Sequence, residues 1–194
     1  MSGVIDQAGV IRAEGTERSA RIVPDGRSFA YVLHAGASQL RITQQDVRAV
    51  QLAKAALRAG IDLLLDHAGY RSVAQIRLAG AFGAHLDPLY AMVLGLIPDA
   101  PLESVRAVGN ASGAGAIRAL VSKQQRREME QVVRTITKVE TATEPRFQER
   151  FVAALGLPHD IAPTDHLSKI VQLPPAPRTR EGRPTRRRAR TSRD

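Results

Sequence analysis

Two short apolar segments, each running straight into a glycine turn and then a helix, constrain this chain most. Residues 75–79 (QIRLA) lead into Gly80-Ala-Phe-Gly83, and residues 104–108 (SVRAV) lead into Gly109-Asn-Ala-Ser-Gly113-Ala-Gly115. After the first, Pro88 opens a short helix that Gly95 ends; after the second, a helix runs through Leu120 and resumes from Ser122 to Arg134. Strand, glycine turn and helix repeated in tandem is the pattern of parallel βα units. The spacing therefore predicts an α/β fold with a short, mostly parallel sheet flanked by helices. A weaker third unit is read as a strand at Ile136–Glu140 and a helix over Glu144–Leu155, with Phe147, Phe151 and Leu155 on one face.

A long helix precedes these units. Thr43 is a natural N-cap with Asp46 three residues on, and Val47, Val50, Ala53, Leu57, Ile61, Leu64, Leu65 and Ala68 recur at helical period up to Gly69. That stripe is expected to face the core. Gly60 inside it costs about 1 kcal/mol relative to Ala, so close approach of another backbone is expected there.

Composition narrows the chemistry. Apolar residues make up 43 % of the 194, but aromatics only 4 %, so small aliphatics must fill the core. There is no cysteine, which excludes disulfides, Cys-ligated zinc, an iron–sulfur cluster and thiol catalysis within this chain. No apolar run approaches the roughly 20 residues of a membrane span. The N-terminus lacks a secretory plan. A cytoplasmic protein is expected, with no membrane partner. Residues 178–194 hold eight arginines against Glu181 and Asp194, a net +6, which leaves about +3 of the formal +9 for the rest.

Four zones follow. Residues 1–40 read as irregular with a strand at 29–33, and 41–157 as the βα domain. Residues 158–177 read as a Pro-rich linker and 178–194 as a disordered Arg-rich tail.

A glycine at the carboxyl end of a parallel strand lets backbone N–H groups approach a ligand, and open α/β sheets bind ligands at that edge. Neither turn is a phosphate loop of the Gly-Lys-Ser/Thr kind or a dinucleotide fingerprint. The plain alternative is that these glycines only permit tight turns. His85-x-Asp87 reads as a loop-edge histidine and the N-cap of the Pro88 helix rather than a metal pair. Among the histidines, His34, His67, His159 and His166 show no metal spacing.

Taken in order, Ile42-Thr-Gln-Gln-Asp46, Gln51-Leu-Ala-Lys54, Ala59-Gly60-Ile, Leu78-Ala-Gly-Ala-Phe-Gly83, Gly95-Leu-Ile-Pro-Asp99 and Val108-Gly-Asn-Ala-Ser-Gly-Ala-Gly-Ala116 resemble one family. It is the reductive activators of corrinoid proteins, ATPases of the acetate-and-sugar-kinase/heat-shock-chaperone/actin superfamily. The resemblance covers about residues 40–157. It implies one actin-like, ribonuclease-H-like lobe. It implies ATP as ligand, with Gly80, Ala81 and Gly83 along the nucleoside, and Gly109, Asn110, Gly113 and Gly115 at the following turn and hinge helix. Gln51, Lys54 and Arg58, on one helix face, would line the adenosine side; the alternative for them is a solvated face.

This sequence departs from the family in having Ala84-His85 where Asn-Tyr is usual. It also lacks the cysteines of the iron–sulfur domain and the first phosphate loop. The resemblance therefore implies a C-terminal lobe whose magnesium is supplied mainly by a missing lobe, and which alone is inactive. The expected partner is a separately encoded N-terminal lobe or a homodimer mate, with a corrinoid protein beyond it. The competing reading is a non-enzymatic interaction module whose basic tail holds nucleic acid or an acidic protein. That tail has no aromatic for base stacking, so nucleic-acid binding beyond a non-specific kind is not expected.

Overall fold

The computed structural model describes residues 3–13, 19–141 and 143–173. The Arg-rich tail and the end of the Pro-rich stretch lie outside the described residues.

Three strands come first: β1 (Ile22–Asp25), β2 (Ser28–His34) and β3 (Leu40–Thr43), joined as an antiparallel meander in the order β1-β2-β3. Only β2 was legible, from its aromatic and β-branched run. β1 contains Pro24 and β3 is four residues long, so neither carries a strand signal of its own. Pairing with β2 supplies their order, in the register Val23↔Ala30 and Tyr31↔Ile42. Before them, residues 3–13 fold back through a bridge between Ile5 and Ile11. Val4 and Ile11 bury with Val47, packed by Ile22, Phe29, Tyr31 and Ile42.

α1 spans Gln44–Ala68. Its start is a complete capping box: Thr43 Oγ1 accepts from the Asp46 N–H at 3.2 Å, and Asp46 Oδ2 accepts from the Thr43 N–H at 2.8 Å. The Thr43 backbone N–H, with its hydroxyl, holds the Asp46 carboxyl below its ordinary range. Gly69 ends the helix at φ 73°, its N–H reaching the carbonyls of Asp66 and Leu65.

The inward face of α1 differs from the expected one. Val47, Gln51, Lys54, Ala55, Arg58, Ala59 and Leu63 are buried, whereas Val50, Leu57 and Leu64 stand 47 %, 50 % and 56 % exposed. Periodicity alone favoured the more apolar stripe; the neighbours on the other side present backbone carbonyls, which long polar side chains satisfy and leucines cannot. Among the described residues the expected backbone contact at Gly60 is also absent, since a Cβ built there meets nothing within 4 Å. Gly60→Ala is therefore expected to raise unfolding free energy by about 1 kcal/mol in urea melts; a loss of stability would show a contact the fold does not have.

The two βα units form as predicted. β4 (Ile76–Ala79) and β5 (Val105–Gly109) pair in parallel, Leu78 beside Ala107 and Ala79 beside Gly109. α2 (Gly80–His85) and α3 (Pro88–Val93) follow β4; α4 (Ala111–Val121) and α5 (Lys123–Thr135) follow β5. Asp87 caps α3, accepting from Leu89 N at 2.8 Å and Tyr90 N at 3.2 Å, as its position before Pro88 predicts. One side of the strand pair packs Ile76, Leu78 and Val105 against Ala91, Met92, Ile97 and Leu167.

Leu167 lies in α7 (Leu167–Ile170), so the stretch read as a linker folds back into the core. Asp99 holds it there, accepting from His166 N at 2.7 Å and Leu167 N at 2.9 Å. The strand expected at Ile136–Glu140 is not formed: the segment pairs with no described strand, and Ile136, itself extended, is exposed. An extended segment without a neighbouring edge leaves its amides to water. α6 (Phe147–Ala153) is shorter than the helix expected there and packs on α1, with Phe147 and Phe151 ring centroids 6.0 Å apart.

Candidate functional site

The parallel register sets the geometry of the glycine turns. Because Ala79 lies beside Gly109, the two turns leave the same edge of the strand pair, next to one another. Gly80 has φ 90° and Gly109 φ 64°, a region that side chains disfavour. A Cβ built on Gly80, Gly109 or Gly115 meets nothing within 4 Å. The backbone there is open to an incoming group, and crowding does not force glycine at these three positions. Ala81 is exposed beside Gly80.

Two of the candidate glycines serve packing. A Cβ on Gly83 would come 2.9 Å from the Leu78 carbonyl carbon, so glycine lets α2 lie against β4. A Cβ on Gly113 would come 2.6 Å from Asn110 Nδ2. Asn110 is the N-cap of α4, its Oδ1 accepting from the Gly113 N–H at 2.8 Å. Asn110 thereby fixes where α4 starts relative to the Gly109 turn. Phe82, which sequence reasoning passed over, is 76 % exposed between Gly80 and Gly83. The other three phenylalanines are partly buried, so exposure of this one is a signal that only the structure gives.

Gln51, Lys54 and Arg58 share one face of α1, as their spacing predicts, but their polar groups are engaged by their own chain. Gln51 Nε2 donates to the Leu155 carbonyl at 2.9 Å and the Ala8 carbonyl at 3.2 Å. Lys54 is 1 % exposed and its Nζ donates to the Gly156 carbonyl and, at 2.7 Å, to the Pro158 carbonyl. Burial, with Arg58 close by, pushes the Lys54 ammonium down to about 8. Arg58 Nε donates to Asp62 Oδ1 at 2.9 Å and Nη1 to the Ile97 carbonyl at 3.3 Å. The reading of this face as solvated does not hold: Gln51 and Lys54 clamp the segment after α6 onto α1, and Arg58 ties the helix to the Ile97 carbonyl.

His159 completes that clamp. Its Nδ1 accepts from the N–H groups of Ile161 at 3.2 Å and Ala162 at 3.1 Å, so the ring proton sits on Nε2, which faces Asp62 Oδ2 at 3.7 Å. Burial pushes the Asp62 carboxyl up, but His159 and Arg58 outweigh it and hold the group below its ordinary range. A cleft of about 400 Å³ lies beside this cluster, lined by Arg58, Asp62, Tyr70, Asp99 and His159 among others; the glycine turns are not part of its wall. No group of three metal-ligating side chains occurs among the described residues. No described helix is long and apolar enough to cross a membrane.

A short parallel strand pair flanked by helices, with glycine turns side by side at its carboxyl edge, defines an actin-like lobe of the acetate-and-sugar-kinase/heat-shock-chaperone/actin (ASKHA) class. The chain belongs to the family described as the C-terminal ASKHA domain of RACo, whose model matches residues 1–168. It is similar to the solved structure of a reductive activator for corrinoid, iron–sulfur protein, with TM-score 0.70 and 30 % identity over 81 % of this chain and 26 % of that one. It is also 42 % identical over 113 residues to the corrinoid activation enzyme RamQ of Eubacterium limosum, a match covering 57 % of this chain and 19 % of the relative. The chain thus spans about a quarter or less of the proteins it matches.

Proposed function

We propose that this chain is the adenosine-side lobe of an ATP-dependent activator of corrinoid proteins. The observation that carries this reading is the pair of abutting turns at Gly80 and Gly109, with open space where side chains would stand. Such a surface fits a flat, uncharged nucleoside, to which bare N–H groups and carbonyls can come close. Gly80 and Ala81 border the nucleoside from one side, with Gly83 letting α2 lie close behind them, and Gly109 and Gly115 border it from the other. Asn110 and Gly113 hold the second turn in place. Gln51, Lys54 and Arg58 have no place on the nucleoside in this reading, because their donors are committed to the chain's own carbonyls and to Asp62.

ATP, when bound, supplies the free energy of its hydrolysis to an otherwise uphill electron transfer. Magnesium and the phosphate contacts belong to a complementary lobe, and the redox centre to a domain with the cysteines this chain lacks. The activated partner is a corrinoid protein in the cytoplasm. This reading is supported by the family membership and by the two relatives, a corrinoid activation enzyme and a reductive activator for corrinoid, iron–sulfur protein.

Calorimetric titration of the full chain with ATP and ADP tests it. Binding is expected for both, without hydrolysis, and Gly80→Val is expected to weaken it about tenfold or more. No binding heat for either nucleotide, with or without a complementary lobe, would overturn the assignment.

A further inference from the structure

One wall of the cleft of about 400 Å³ is a short stretch of chain, Ile161, Ala162, Pro163 and Asp165, hung between two fixed ends. At one end Lys54 Nζ donates to the Pro158 carbonyl at 2.7 Å, and the Asp160 N–H donates to the Ala153 carbonyl at 3.1 Å. At the other, Asp99 accepts from the N–H groups of His166 and Leu167. Between those ends, among the described residues, the N–H groups of Ile161 and Ala162 both end on one atom, His159 Nδ1, at 3.2 and 3.1 Å. Ile161 is 70 % exposed, so apolar packing adds little to that hold.

An imidazole nitrogen accepts a hydrogen bond only while it carries no proton. The ring's one proton is on Nε2, which is buried without a hydrogen-bond partner and faces Asp62 Oδ2 at 3.7 Å. A second proton can therefore enter only at Nδ1, where two backbone N–H groups already point. Donor would meet donor, and both bonds would be lost. Burial works against ionisation of Asp62, but His159 and Arg58 outweigh it and hold the carboxyl below its ordinary range. Asp62 is thus a carboxylate wherever histidine titrates, and it keeps a charged ring in place while the wall lets go.

The other charges around the ring are accounted for. From α1, Asp62 favours the imidazolium, whereas Arg58 and Lys54 oppose it. Asp160 follows His159 in the chain. Along the cleft Asp66 is engaged by Arg150 at 2.8 Å, and Asp99 by its two backbone N–H groups. Tyr70, Arg71, Asp165 and His166 complete the titratable and charged lining. None of these groups bonds the N–H of Ile161 or Ala162. We propose that His159 is a proton-operated latch: neutral, it pins Ile161 and Ala162 and closes this wall of the cleft; charged, it stays on Asp62 and releases the wall between the Pro158 and His166 anchors. The closed wall binds one proton fewer than the open one, so closure is lost as pH falls through the ordinary histidine range, about 6.5. The latch is independent of the nucleotide reading, because the glycine turns are not part of this cleft.

Hydrogen exchange of the full chain, compared at about pH 7.5 and about pH 5.5 and corrected for intrinsic rates, tests the latch. Protection at residues 161–165 is expected to fall about tenfold at the lower pH, as one unit below the histidine midpoint requires. His67 supplies an internal control of opposite sign: its Nε2 meets Glu144 Oε2 at 2.9 Å, a contact that a proton strengthens. Residues 143–146 should therefore keep or gain protection. His159→Asn retains an acceptor oxygen near the Nδ1 position and takes up no proton, so its protection at 161–165 should be equal at the two pH values. An NMR titration of the unaltered chain is a second measurement that needs no variant: the His159 ring and the amides of Ile161 and Ala162 are expected to shift with one common midpoint.

Equal protection of the unaltered chain at both pH values, the same loss in His159→Asn, separate midpoints for ring and amides, or a loss shared equally by α1 and residues 143–146 would overturn the proposal. The last of these would mark general loosening in acid rather than a latch.

Discussion

Lys54→Met is expected to lower the unfolding free energy by about 3 kcal/mol, read from urea midpoints at pH 7. The methionine fills the same stem volume, so the loss is not a cavity effect. What disappears is the ammonium that donates to the carbonyls of Gly156 and Pro158, which are left in the interior without it. Each such buried acceptor costs on the order of 1–3 kcal/mol when its donor is removed. The effect should be local as well as global. Residues 154–162 are held to α1 by Gln51, Lys54 and the Asp62–His159 contact, so that segment should become the first site of proteolysis. An unchanged midpoint would mean that Lys54 is not the clamp its geometry indicates.

The same lysine gives a pH signature of definite sign. Its folded value is about 8 against 10.5 unfolded, so between those limits the unfolded chain binds more protons than the folded one. Stability contributed by this group therefore rises as pH goes from about 8 toward 10.5. Lys54→Met should flatten that rise, and the difference between the two midpoints should widen toward alkaline pH. A difference independent of pH over this window would contradict the assignment.

Gly95→Ala is expected to be at least as damaging, on the order of 3 kcal/mol or more. Gly95 sits at φ 73°, where an alanine is strained before it touches anything. A Cβ there would overlap the Pro158 carbonyl, with that group's carbon 2.7 Å away and Lys54 Nζ at 3.3 Å. None of these is the far end of a free side chain, since Pro158 is backbone and Lys54 is already bonded to it. The substitution therefore pushes apart the contact that Lys54 closes, and its cost should be sub-additive with Lys54→Met in the double variant. Fully additive losses would show that the two positions act independently.

These residues also show what the sequence could and could not carry. The capping box of Thr43 and Asp46, the stop at Gly69, the cap at Asp87 and both βα units were readable because each is decided within a few residues of chain. The adjacency of the glycine turns was readable too, since consecutive parallel units leave one sheet edge. The orientation of α1 was not. Its apolar stripe and its polar stripe both have helical period, and the choice depends on carbonyls of Ala8, Ile97, Leu155, Gly156 and Pro158, about 40 to 100 residues away in the chain. The strand at Ile136–Glu140 failed for a related reason: local pattern allows extension, but only a neighbouring edge makes it a strand.

By itself, the sequence determined the element order, the caps, the glycine turns and the family, because those features are written in local pattern and in the succession of short motifs. Tertiary structure alone decided that Gln51, Lys54 and Arg58 face inward, that Leu167 returns to the core, and that α4 and α5 bury no residue among the described ones. The physical reason is that burial is a property of pairs of surfaces. A side chain's own polarity fixes what it needs, and the distant segment packed against it fixes whether that need is met inside the protein or by water.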